Sequence, residues 1–168
     1  MEGEIVNRVA KSPLKTLDLE KWYPKGPRFT VDLSQWLEKG IILREQAFRE
    51  ALKSHDWSKY QDAYVAVLCT TDAIVPVWAY MLISTYLSPI AARVVAGSEA
   101  ELETVIFRES LNGMDLEEFR DKPVIIKGCS NVPVPPSAYV DALERLHEVA
   151  RAVHYGEACS SVPVFRRK

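Results

Sequence analysis

The chain has 168 residues, 48% of them hydrophobic and 26% charged, with a formal net charge of −2. That composition excludes wholesale disorder, and the near-neutral balance gives no electrostatic ground for nucleic-acid binding. A chain of this length buries roughly 70% of its unfolded surface, so one full core can form without disulfides or metal.

Residues 1–27, with Pro13, Pro24 and Pro27, read as an N-terminal arm or short helix ahead of a single α/β domain over 28–168. Residues 28–33 (RFTVDL) alternate as a strand does. Residues 41–53 place Leu43, Ala47, Phe48, Ala51 and Leu52 at helical spacing. Residues 64–69 (YVAVLC) form a continuous apolar run, as in a strand buried on both faces of a parallel sheet. Residues 77–87 are apolar nearly all round, which predicts a helix buried on more than one side, or a subunit interface. Residues 93–96 make a short strand. Ser98 and Glu101 then form a capping box, with Leu102, Val105 and Ile106 facing inward. Residues 124–129 (VIIKGC) are a further strand. Residues 136–152 are an amphipathic helix with Val140, Leu143, Leu146 and Ala150 on its inner face, and 152–156 offer a last strand. Strands alternating with helices predict one three-layer α/β domain. It has a mainly parallel sheet of about four or five strands with helices on both faces.

Two acids open the chain, and the longest apolar run, 73–83, contains Pro76 and is too short to cross a bilayer. The expectation is a soluble cytoplasmic protein with no membrane partner. In that compartment Cys69, Cys129 and Cys159 are thiols or ligands rather than disulfides. Cys69 and Cys129 each end a predicted strand and Cys159 lies just past a third, and in a parallel sheet the strand ends share one edge, where ligands of open α/β folds bind. Cys129-Ser-Asn-Val-Pro-Val and Cys159-Ser-Ser-Val-Pro-Val differ at one position, suggesting the same turn used twice. Helix N-termini beyond Cys69 and Cys129 favour thiolate, the form that ligates and attacks.

Three thiolates plus Asp72 or His154 make a zinc site, and the same set can hold an iron–sulfur cluster. The alternatives are a thiol-dependent transferase with Cys129 as nucleophile, or a non-enzymatic homodimeric adaptor in which the cysteines are inert. His55, between Ser54 and Asp56, reads as a helix-end turn rather than a hydrolytic triad. His147 reads as a partly buried, hydrogen-bonded histidine on a helix edge. Neither a Gly-x-x-x-x-Gly-Lys loop nor a Gly-x-Gly-x-x-Gly turn is present, so no nucleotide cofactor is expected.

Residues 7–10 (NRVA), 17–20 (LDLE), 72–81 (DAIVPVWAYM), 126–129 (IKGC) and 155–163 (YGEACSSVP) together resemble an uncharacterised Bacteroidetes-type family of small cytosolic proteins, a domain of unknown function. The resemblance covers nearly the whole chain. It implies a bacterial protein without an assigned reaction, and genes near those of iron–sulfur assembly, whose products are then the expected partners.

Overall fold

A computed structural model describes residues 13–128 and 131–168. By contacts the chain divides into two compact units, one formed by residues up to Pro24 together with Phe107–Lys168, the other by Lys25–Ile106.

In the second unit, β2 (Arg28–Asp32), β3 (Tyr64–Leu68) and β4 (Arg93–Ala96) form a parallel sheet in that order. Alternation along β3 sends Val65 and Val67 to one face and Ala66 to the other. Val65 and Val67 pack in one cluster with Phe48 and Leu52 of α1 (Glu45–Ser54) and with Ala79, Ile83 and Leu87 of α2 (Val77–Leu87). Ala66 packs with Leu102 and Ile106 of α3 (Glu99–Asn112). The sheet is thus covered on both faces, the three-layer arrangement that alternating elements predict. The capping box at the start of α3 is present: the Ser98 N–H donates to Glu101 (2.7 Å), and the Glu101 N–H donates to Ser98 Oγ (3.3 Å).

In the first unit, β1 (Lys15–Asp18), β5 (Pro123–Lys127) and β6 (Ala152–Glu157) are parallel. β7 (Ser160–Arg166) returns antiparallel at the edge, giving the order β1-β5-β6-β7. One face carries Leu17, Val124, Ile126 and Val153. It packs with Phe107 and Leu111 of α3 and with Ala138, Ala142 and Leu146 of α4 (Pro136–His147). The strands therefore fill two sheets rather than a single one of four or five. Within residues 1–27, the described part holds β1 and a 3-10 turn, Leu19–Trp22, with Leu17 and Leu19 buried.

The division follows an internal duplication. Phe48-Arg49-Glu50 and Leu52 recur 59 positions later as Phe107-Arg108-Glu109 and Leu111, and Pro76, Ala79 and Tyr80 as Pro135, Ala138 and Tyr139. The register runs without a gap through β3/β5, α2/α4 and β4/β6. It includes the backbone: Asp62 and Asp121 both have left-handed φ (55° and 54°), and Gly97 and Gly156 both have positive φ. A shorter register links Thr16-Leu17-Asp18-Leu19 and Trp22 to Thr30-Val31-Asp32-Leu33 and Trp36. In each copy the aspartate side chain caps a 3-10 turn.

Three expectations about helix faces change. In α2, Val77 (74% exposed) and Met81 (65%) stay uncovered, so that helix is buried on one side. In α4, Val140 is exposed rather than inward. His147 is exposed, with its ring 4.2 Å from that of Phe165.

Candidate functional site

In the β2–β3–β4 sheet, β3 is followed by α2 on one face and β4 by α3 on the other. Where neighbouring parallel strands send their connections to opposite faces, a crevice opens at the carboxyl edge. A cavity of about 570 Å³ lies there, lined by Val67, Leu68, Cys69, Thr70, Val77, Tyr80, Ala96, Gly97 and Ser98. Its size suits a small organic molecule.

The rim is organised by Asp32. Its Oδ1 accepts the N–H groups of Ser34 (2.9 Å) and Thr70 (3.1 Å), and its Oδ2 accepts the Thr70 hydroxyl (2.5 Å). The Ser34 and Thr70 hydroxyl oxygens are 3.3 Å apart. Because the Thr70 proton goes to Asp32, Ser34 donates to Thr70, completing a chain that ends on the carboxylate. Burial alone would push the Asp32 carboxyl up, but the hydrogen bonds from Thr70 and Ser34 outweigh it and hold the pKa at about 2. Asp32 therefore places a fixed negative charge at the rim.

Tyr80 reaches the cavity from α2. Burial, joined by the electrostatic influence of nearby Cys69 and Asp32, pushes its phenol pKa up, so the hydroxyl remains a donor. Cys69, just past β3, is partly buried, with Sγ 3.6 Å from the Thr71 carbonyl and 3.4 Å from its hydroxyl. The cavity therefore offers an apolar wall, a phenol donor, a thiol and a nearby carboxylate.

The five residues read from sequence as metal ligands distribute as follows. Cys69 and Asp72 belong to the second unit, and Asp72 is exposed in the connection from β3 to α2. Cys159 is exposed in the tight turn between β6 and β7, and His154 is partly buried on β6, with Nδ1 3.4 Å from Ser161 Oγ. Cys129 lies outside the described residues. The strands before Cys129 and Cys159, β5 and β6, are neighbours in one sheet, whereas the strand before Cys69 belongs to the other. Among the described residues no three His, Cys, Asp or Glu side chains gather as a metal site. The matched Cys-Ser-x-Val-Pro-Val segments also differ in setting: the second enters a hairpin strand, whereas residues 131–134 of the first lead into α4.

Sequence reasoning missed Asp32, Ser34, Thr70 and Tyr80. Two signals point to two of them: the recurring Thr-x-Asp-Leu-x-x-Trp marks Asp32, and the 59-residue register pairs Tyr80 with Tyr139. In the first unit the corresponding loops are tied differently. Glu20, at the position of Ser34, accepts hydrogen bonds from the N–H (3.2 Å) and Nδ2 (3.1 Å) of Asn131, at the position of Asp72.

A family model described as a protein of unknown function (DUF2480) matches residues 3–167, and the chain belongs to that family. No curated protein matches, and no solved structure matches. Among the described residues no helix is long and apolar enough to cross a membrane.

Proposed function

We propose that this DUF2480 protein binds a small neutral or cationic organic molecule at the carboxyl edge of the β2–β3–β4 sheet. The observation that carries the reading is the cavity between the β3–α2 and β4–α3 connections, with Asp32 and Tyr80 beside it. Val67, Leu68 and Val77 take the apolar body of the ligand, and the Tyr80 hydroxyl donates to an acceptor on it. The Asp32 carboxylate selects against anions. Among the described lining residues Cys69 supplies the one thiol, available for a reversible covalent bond or for ligation.

A thermal-shift screen of neutral and cationic metabolites tests this against the wild type and Val77→Glu, a substitution at an exposed wall position. Neutral compounds should stabilise the wild type, and Val77→Glu should abolish their effect. Absence of any stabilising compound, or equal stabilisation of the variant, would count against the reading.

A second reading is favoured by the pairing of β5 with β6, the strands that precede Cys129 and Cys159. It is zinc or iron–sulfur binding by those two cysteines with His154, in a protein acting beside iron–sulfur assembly proteins. Metal and acid-labile sulfide per chain, measured after anaerobic purification, should then be near stoichiometric and fall in Cys129→Ser and Cys159→Ser. Metal-free protein would set this reading aside.

A further inference from the structure

The 59-residue register carries the carboxyl-edge cavity into the first unit. A second cavity, of about 420 Å³, is lined there by Ile126, Pro136, Tyr139 and Tyr155 among others. These four stand at the positions of Val67, Val77, Tyr80 and Ala96, which line the cavity of the other unit. One architectural site is thus present twice, and its chemistry differs between the copies.

Three replacements make the first-unit copy apolar. Gly128 stands at the position of Cys69; a Cβ there would lie 1.8 Å from the Tyr139 hydroxyl oxygen, so glycine is what admits that phenol. Tyr155 replaces Ala96, and its ring meets Tyr139 edge-on, with centroids 5.7 Å apart. β6 continues into a hairpin rather than a helix, and Val164 of β7 adds an aliphatic wall. Among the described residues of the lining, His154 supplies the one imidazole. Val140 and Val164 flank the opening and are each more than half exposed.

We infer that this cavity is a second binding site, specific for a neutral aromatic molecule. Two tyrosine rings, a proline ring and branched aliphatics match a flat apolar ligand, which gains edge-to-face contacts here, and the described lining holds no carboxylate, lysine or arginine to compensate a charge. The volume lies within the range of small-molecule pockets. The inference rests on the reading of the carboxyl edge as the ligand-bearing edge of each unit, but the two cavities share no residue and are tested apart.

The probe is N-phenyl-1-naphthylamine, a neutral aromatic dye that brightens in apolar sites, titrated into the full chain. Saturable binding is expected, weakened at least about tenfold by Val140→Glu and by Val164→Glu, because each sets a carboxylate at the apolar mouth. Met81→Glu, at the position in the other unit that corresponds to Val140, should leave the affinity unchanged. Circular dichroism of each variant checks that it is folded. No saturable binding by the folded wild type would overturn the inference, as would wild-type affinity in both Val140→Glu and Val164→Glu. An equal loss in Met81→Glu would assign the dye to the other unit and overturn it too.

Discussion

Asp32, at the end of β2, and Thr70, just past β3, are bound by two hydrogen bonds: the Thr70 hydroxyl and N–H each donate to one carboxylate oxygen, at 2.5 and 3.1 Å. The pair closes the ends of adjacent parallel strands and fixes the rim of the candidate site. Because the folded-state pKa of about 2 lies below the ordinary 3.8, the ionised carboxylate stabilises the fold. That contribution is complete above about pH 4 and is lost as pH falls through 2. Asp32→Asn should lower stability at neutral pH by about 1 kcal/mol, the usual worth of such a cap. It should also flatten the stability profile between pH 4 and 2, read by urea unfolding at each pH. A wild-type profile in Asp32→Asn would show that the clasp contributes nothing.

Gly128 and Tyr139 make a second coupled pair. Gly128→Ala forces a Cβ into the Tyr139 hydroxyl and should cost about 1–3 kcal/mol, as overpacking does. Adding Tyr139→Ala should restore part of that loss, so the two changes will not be additive in a double-mutant cycle. Additive effects would place the cost elsewhere.

His55, the residue that ends α1, packs against Trp36 and Trp57, with ring centroids 5.4 and 4.5 Å away. Burial, then the charge of Lys59, lowers its pKa below the ordinary 6.5, with Asp56 opposing. A lowered histidine pKa means the neutral ring is favoured in the fold. Its stabilising contribution is present above pH 6.5 and lost as pH falls through the folded-state value. An NMR titration should place the His55 midpoint below 6.5; a midpoint above it would contradict the packing account.

The local elements were legible where a single pattern dominated. Arg93–Ala96, Val77–Leu87 and the Ser98–Glu101 capping box stand where periodicity and capping chemistry put them. β1 escaped notice because four residues, Lys15–Asp18, carry one buried side chain and no visible alternation. β7 escaped because Pro163 argues against a strand, and only an edge position tolerates it. The split into two sheets depends on long-range pairing of β1 with β5, which no local window reveals. In the site, the edge position of Cys69 was readable from the apolar run before it. Asp32 is marked only by the Thr-x-Asp-Leu repeat, which does not say what it binds, and Thr70 looks like an ordinary turn residue until β2 and β3 are set side by side. Val140 fits an inward helical period, yet it borders a cavity, because β7 widens the sheet beside α4 without a further helix over it.

Cys69 and Cys159 differ in setting, one partly buried in a cavity and the other exposed on a hairpin turn. Iodoacetamide should therefore label Cys159 faster than Cys69 in the native protein, and Val77→Glu should slow Cys69 without affecting Cys159. Peptide mass spectrometry resolves the sites, and equal rates for the two thiols would show that the cavity does not restrict access.

The most direct test of the central claim is charge selectivity at Cys69. Cationic and anionic methanethiosulfonates of similar size would be compared on the native protein, with Cys159 as the internal reference. The account predicts a stronger preference for the cation at Cys69 than at Cys159, and its loss at Cys69 alone in Asp32→Asn. The same preference at both thiols, unchanged by Asp32→Asn, would contradict a site for neutral or cationic ligands at this sheet edge.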